Sequence, residues 1–313
     1  MVPTAITLAA PVLCVALALD RLMGDPHSRY HPVALLGSFI AFWGKPGSIP
    51  ASVQRSAGVL FWALTVFLFS IPFILVALYA PWYLYLLLAP VLLKFCFAWR
   101  SLEEHALAVV SALKEGMEKG REKVSLLVSR DTASLGRDDI LSAGYESMTE
   151  NLNDSIIAPL FWFTLLGLPG AAACRAINTM DAMLGYRDER ERLGWCAARM
   201  DDIMNFIPAR ITVLFLLIWF AGKGTLSHAW RVMRRDGHLR PGFNGGIIMA
   251  AMAGGTGTRF EKPGAYSIGD GERTLDEGGA DILSAVRAVT VMYATLSCGT
   301  LILLGAVINT IGI

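Results

Sequence analysis

Residues 56–93 read SAGVLFWALTVFLFSIPFILVALYAPWYLYLLLAPVLL, and no charge interrupts these 38 positions. A bilayer's hydrocarbon core asks for roughly 20 apolar residues per helical crossing, and this run is long enough for two. Ala80-Pro81 lies beyond its middle, where proline removes a backbone donor and disfavours helix at the residue before it. The stretch therefore predicts a helical hairpin in the membrane, turning at Pro81.

The rest of the chain fits that frame. It is 54% hydrophobic and 17% charged, with a mean hydropathy of +0.51, which excludes an ordinary soluble protein. A net charge of +1 gives no bulk field for nucleic acid. The five cysteines form no CxxC pair, so free thiols are expected, with no zinc site and no disulfide framework. Residues 1–19 carry no charge and lack a basic start or a small-x-small cleavage site, which reads as an anchor. Residues 155–174 are uncharged but hold Pro159, Gly167, Pro169 and Gly170, while 211–222 is an uncharged run of only 12 residues and 288–313 one of 26.

These readings give apolar segments near 1–19, 56–79, 82–99, 155–174, 203–222 and 288–313, joined by loops 20–55, 100–154, 175–202 and 223–287. Counted between the uncharged runs, four basic residues fall in 20–55, eight in 94–154, six in 175–210 and nine in 223–287, with none at the Pro81 turn. The excess of positive charge on the cytoplasmic side then places the amino terminus outside, 20–55 inside, the Pro81 turn outside and 94–154 inside. Strict alternation would put 175–210 outside with six basic residues. The segments 155–174 and 203–222 are therefore expected to be broken or re-entrant helices packed against protein. The fold class is all-α: a polytopic helical integral membrane protein, one membrane-embedded domain with a cytoplasmic catalytic layer. Within the loops we expect a long helix over 94–123, a helix over 140–152 capped by Asp138, and a basic amphipathic stretch over 223–240. A flexible glycine-rich segment is expected over 241–258 and a polar loop over 262–279.

Two polar clusters stand beside the apolar runs. Glu146, Glu150, Asn153 and Asp154 recur at helical spacing and share one face. Clustered carboxylates at a membrane edge suit Mg²⁺ and, through it, phosphates; a solvated helix face is the alternative. Arg199, Asp201, Asp202, Asn205 and Arg210 enter an apolar segment, where an unpaired charge is costly; an Arg–Asp structural pair is the alternative. Tyr186-Arg187-Asp188-Glu189-Arg190 is a dense charge run, solvated or phosphate-binding, and Asn178 and Asp181 before it also suit helix capping. His27 and His31 are four apart, but Pro26 and Pro32 oppose a helical metal pair, and an ordered turn is the simpler reading. No GxxxxGK[ST] loop and no nucleophile elbow occurs.

At these residues the chain resembles the adenosylcobinamide-phosphate synthase family, the membrane-bound cobalamin biosynthesis proteins also called cobinamide synthases. The matches are DRLMGDPHSRYHPVALLGSFI (20–40), SRDTASL (129–135), ESMTENLNDSIIAPLFW (146–162), NTMDAMLGYRDER (178–190) and GWCAARMDDIMNFIPARIT (194–212). They are long, mixed in character and in the family's order over nearly the whole chain. The resemblance implies ATP- and Mg²⁺-dependent amide formation between adenosylcobyric acid and aminopropanol phosphate, or free aminopropanol. It further implies a cell-membrane protein whose active site faces the cytoplasm, and no nucleic-acid partner. On this reading Glu146, Glu150 and Asp154 hold magnesium with Asp201 and Asp202 as partners, and Asp181 or Asp25 removes a proton from the amine. Arg187, Arg199 and Arg210 clamp phosphates. His27, His31, Arg130, Asn151, Asn178, Tyr186, Asn205 and Asn244 complete the substrate contacts.

One stretch departs from the family. A Pro-Asn-Ala-Gly-Trp-Pro-Glu run is usual after a histidine; here PGFNGGIIM occupies 241–249, keeping Asn244 and Gly246, inserting two residues after Pro241 and placing Met249 where the glutamate falls. This departure bears on the amine substrate more than on the reaction class. Two rival readings come from other classes. A transporter calls for polar residues within several spans and an internal repeat, and no repeat is visible. A non-catalytic scaffold recruiting soluble B12 enzymes would tolerate Asp202→Asn or Arg210→Ala, and other B12 enzymes or a second copy of the chain are the further partners expected.

The topology has a direct check. Single cysteines placed at 185–195, in a chain cleared of its native thiols, should react with a membrane-impermeant maleimide only after the cytoplasmic side is opened. Labelling from the outside alone would contradict it.

Overall fold

The computed structural model describes residues 2–25, 28–128 and 130–311. In chain order the helices are α1 (Val2–Thr7), α2 (Ala9–Met23), α3 (Pro32–Trp43), α4 (Gln54–Tyr79), α5 (Trp82–Lys94), α6 (Trp99–Glu115), α7 (Met117–Ser125) and α8 (Arg137–Leu152). They continue as α9 (Ala158–Leu184), α10 (Glu191–Gly222), α11 (Leu226–Asp236) and α12 (Gly245–Thr256). After a hairpin of β1 (Phe260–Lys262) and β2 (Tyr266–Ile268), the chain ends in α13 (Leu275–Ile311). The all-α expectation holds. Among the described residues, five helical runs are long and apolar enough to cross a bilayer: Gln54–Tyr79, Trp82–Glu115, Arg137–Leu184, Glu191–Gly222 and Leu275–Thr310. The hairpin turn falls as expected, with α4 ending at Tyr79 and α5 starting at Trp82. Leu60, Phe67, Leu75 and Tyr79 of α4 are exposed, the inverse of a soluble helix and what a lipid-facing surface requires.

The structure corrects several expectations. Within the segment expected over 1–19, Leu8 separates α1 from α2, and α2 has 15 residues, about 22 Å at the helical rise. Segment 203–222 is not a short or broken piece but the second part of α10, which has 32 residues and runs through Pro208. The loop expected over 175–202 shrinks to 185–190, because α9 continues to Leu184 and α10 begins at Glu191. Segment 155–174 is interrupted as its glycines and prolines suggested. Gly167 takes φ +67° just before Pro169, a conformation that glycine alone adopts without strain. The expected helix over 94–123 is divided by a non-helical stretch at 95–98 and by Gly116 at φ +149°. Asp138 lies inside the first turn of α8; it is Asp139 whose carboxylate accepts from the Gly136 N–H at 3.2 Å, closing the helix start.

The glycine-rich segment expected to be flexible is helix α12, almost wholly buried. Its small residues serve close approach: a Cβ on Gly254 would lie 2.9 Å from Ala229 Cα, and one on Gly246 2.3 Å from the Gly237 carbonyl oxygen. The polar loop expected over 262–279 contains β2 and the start of α13.

The chain divides into two compact units. The first comprises Met1–Ala98, Ala158–Asn205 and Ala294–Ile313. Its core joins Leu36, Ile40 and Trp43 of α3 to Ile177, Met180 and Leu184 of α9 and Leu193 and Ala197 of α10. The second comprises Trp99–Ile157 and Phe206–Tyr293; α8 packs there on α6, α12 and β1, and α11 on α12.

In the first unit, α4 approaches the start of α10 so closely that a Cβ on Gly58 would lie 2.2 Å from the Leu193 carbonyl oxygen. Gly58→Ala should lower stability by about 1–3 kcal/mol, the usual cost of overpacking. Gly222→Ala, with open space around it, should not. Thermal unfolding in detergent followed by tryptophan fluorescence checks both.

Candidate functional site

The second unit gathers a polar network around α8. Glu146 is buried, and both its oxygens are engaged. Oε1 accepts from Ser142 Oγ at 2.6 Å and from Arg130 Nη2 at 3.2 Å, and Oε2 accepts from the Tyr266 hydroxyl at 2.6 Å. Ser142 Oγ also accepts from the Glu261 backbone N–H at 2.6 Å, tying β1 to α8. Burial, and then the neighbouring Glu146 charge, push the Tyr266 phenol well above its ordinary value, so it stays a donor. One turn on, Arg240 donates to Glu150. Glycine at 245 leaves space for that guanidinium, since a Cβ there would lie 2.4 Å from Arg240 Nη1.

Beyond Leu152 the helix widens into a π turn at Asn153–Ile157, a feature often found at functional sites. Asn153 donates to Asp154 at 2.8 Å and accepts from Thr212 Oγ1 at 3.0 Å. Asn151 is turned along its own helix, donating to the Ser147 carbonyl at 2.9 Å and accepting from Ser155 at 2.8 Å. Arg210 donates to Asn244 Oδ1 at 2.6 Å and to the Phe243 carbonyl at 3.1 Å. It thereby anchors the loop before α12 rather than presenting an open fork. Met249, the departure from the family pattern, is buried in α12.

Helical spacing groups Glu146, Glu150 and Asp154 as the expected magnesium ligands. Glu146 is taken up by protein donors, and the three carboxylates do not converge. Among the described residues, the one group of three close ligand types is His228, Asp270 and Glu272. Asp270 there accepts from His228 at 2.8 Å and pairs with Arg235 at 2.6 Å, and these two partners hold its carboxyl below the usual range. Glu146 and Glu150 each already hold a guanidinium, so the two carry that charge rather than an open ligand set. Also in this unit, Asp138, Asp139, Ser142, Arg259, Glu261 and Arg273 line a cavity of about 200 Å³.

The first unit holds the other expected residues. Lys94, buried at the end of α5, donates to Asp25. His31 stands 3.9 Å from Asp25 through Nε2, and its Nδ1 accepts from the Val33 N–H at 3.3 Å, capping α3. His27 lies outside the described residues. Asn178 and Asp181 are half-buried on α9. In the following turn Arg190 lies over the Tyr186 ring at 4.1 Å and hydrogen-bonds Asp188, holding that carboxyl at about 2; Arg187 is exposed. On α10, Arg199 reaches Asp202 at 3.5 Å and Asn205 donates to Asp201 at 3.0 Å.

Spacing had not pointed to Lys94, Ser142, Arg240 or Tyr266. Arg240 and Tyr266 reach their glutamates from 90 and 120 positions away, where no periodicity operates. Lys94 was readable only as the first charge after a long apolar run.

Comparison with known proteins agrees with the motifs. The CobD/Cbib protein family matches residues 13–292. The chain is 40% identical over 301 residues to the "Probable cobalamin biosynthesis protein CobD" of Methanothermobacter thermautotrophicus, covering 93% of this chain and 97% of that protein. It is 38% identical over 321 residues to the "Cobalamin biosynthesis protein CobD" of Chromobacterium violaceum, covering 96% and 99%. With the "Probable cobalamin biosynthesis protein CobD" of Thermococcus kodakarensis it shares 42% identity over 274 residues, covering 87% and 88%. No solved structure matches.

Removing Arg130 leaves a buried carboxylate without its cation, so Arg130→Ala should destabilise the protein by about 3 kcal/mol. Adding Glu146→Gln should recover part of that loss. A double-mutant cycle on thermal unfolding in detergent checks the coupling, and strict additivity would contradict it.

Proposed function

Because the chain belongs to the CobD/Cbib family, we propose that it is a membrane-embedded enzyme of cobalamin biosynthesis that forms an amide between adenosylcobyric acid and aminopropanol phosphate, or free aminopropanol, with consumption of ATP. The observation that carries this reading is the pairing of Glu146 with Arg130, Ser142 and Tyr266, and of Glu150 with Arg240, beside a π turn. An anchor or a scaffold has no need of so ordered a polar network within a membrane-grade chain.

A carboxylate is a poor acyl donor, and ATP supplies the phosphoryl group that turns its oxygen into a leaving group. In this reading Glu146 and Glu150 are positioning residues that hold Arg130 and Arg240 in fixed orientation for anionic substrate. Arg187 and Arg199 are the less committed arginines suited to phosphate. Arg210 acts through Asn244, which it orients. Asp25 is committed to Lys94, so Asp181 is the proposed base for the attacking amine. Magnesium enters with the nucleotide rather than on a resident carboxylate set. The reaction side faces the cytoplasm, where ATP is available, in the cell membrane. Other B12 enzymes or a second copy of the chain are the further partners this reading admits.

Detergent-solubilised protein given adenosylcobyric acid, aminopropanol phosphate and Mg·ATP should yield the amide and ADP in equal amounts. Arg240→Met should lower kcat/KM by about 100-fold, the scale of losing a charge-assisted contact in the transition state. Absence of product from folded protein, with or without the phosphate on the amine, would favour the non-catalytic scaffold.

A further inference from the structure

Arg175 lies on α9 in the first unit, in a helix apolar enough to cross a bilayer. A charge there is costly and ordinarily finds a partner. Among the described residues its guanidinium makes no hydrogen bond and no ion pair, and its Nε is buried without an acceptor. Asp25 is the carboxylate within its electrostatic reach, and Asp25 already accepts from Lys94. One negative and two positive charges therefore share this place.

His31 adds a second orphan. Its Nδ1 accepts the Val33 N–H, so in the neutral ring the proton sits on Nε2. That Nε2 is buried and has no hydrogen-bond partner. Asp25 at 3.9 Å is beyond hydrogen-bond distance. Burial holds the imidazole below its ordinary value, with Asp25, Lys94 and Arg175 as the charged neighbours it senses, so it is neutral near pH 7. Two buried donors thus lack an acceptor, one on α9 and one at the start of α3, and these two helices pack on each other.

We propose that Arg175 and the Nε2 of His31 form a subsite for a substrate oxyanion, a carboxylate or a phosphate monoester, with the Lys94–Asp25 pair as its wall. An oxyanion supplies the acceptors that both donors lack and balances the excess charge. Arginine's planar fork suits either group. The proposal names a binding residue beyond those of the reaction proposed above and rests on that reading only for the identity of the anion.

Inorganic phosphate and acetate are the probes, titrated against the full-length protein in detergent at constant ionic strength made up with chloride. Thermal unfolding and isothermal titration are the readouts. One of the two anions should bind saturably and raise Tm, the preferred one marking phosphate monoester or carboxylate. Arg175→Met should weaken that binding at least tenfold. It should also raise the Tm of the anion-free protein, because it removes a buried charge with no partner. Arg175→Lys should retain weaker binding, since the charge remains. Binding by neither anion, unchanged affinity in Arg175→Met, or a lowered anion-free Tm in that variant would each overturn the subsite. Should Arg175→Met fail to fold, Arg175→Lys decides: affinity equal to the parent protein's would overturn it. None of these readouts needs turnover, so loss of the reaction with anion binding intact would count against the proposed reaction alone.

Discussion

A carboxylate taken out of water demands compensation from whatever surrounds it, and Glu146 meets that demand on every side. Its desolvation is offset only if a cation and enough donors reach its oxygens. Arg130, Ser142 and Tyr266 do so, and each comes from a different part of the second unit. Satisfying one buried group therefore fixes the segment before α8, the β hairpin and α8 itself. Glu103 repeats the logic: it is buried on α6 and receives Arg287 of α13 through both oxygens. Hydrophobic burial condenses the helices; these paired charges restrict how they can sit within the unit, because any slip leaves an acid unmatched.

How much of this was legible in the sequence depended on whether the deciding interaction was local. The Pro81 turn was legible because chain length and proline geometry act along the backbone. The interruption at Gly167 was legible for the same reason. Helix α10 was not, since Asp201, Asp202, Asn205 and Arg210 look like the end of a span. In the structure each of those groups has a partner within its own helix, and Arg210 also reaches Asn244 and the Phe243 carbonyl. Asn205 bonds Asp201, Arg199 reaches Asp202, and Arg210 donates to the Phe206 carbonyl. Polar residues spaced three or four apart can satisfy one another and let an apolar helix continue. Glycine at 245–256 misled in the opposite sense, because composition does not distinguish a residue chosen for freedom from one chosen to leave no side chain between two helices.

The candidate site divides the same way. Periodicity placed Glu146 and Glu150 on one face of α8 correctly, but spacing says which residues share a face, not what faces them. The glutamates are met by Arg130 and Arg240, and a carboxylate already holding a guanidinium is a poor ligand for a second cation. Met249 belongs to the same account. It is buried in a helix of small residues, where a glutamate would need a cation of its own, and Arg240 already serves Glu150.

The two units differ in how their charges balance. In the second, the buried acids Glu103, Glu146 and Asp236 each have an arginine partner, and the arrangement is closed without help. In the first, Lys94 donates to Asp25, and among the described residues the buried Nε of Arg175 has no acceptor. Matched charges hold helices in place at little net cost while they orient the arginines for substrate. They do not explain an arginine with an unmatched buried donor in an apolar helix, where replacement by methionine or leucine would remove the desolvation penalty. Keeping the cation makes sense if the missing negative charge arrives with a ligand, so that the helix which carries the penalty in the free protein recovers it on binding.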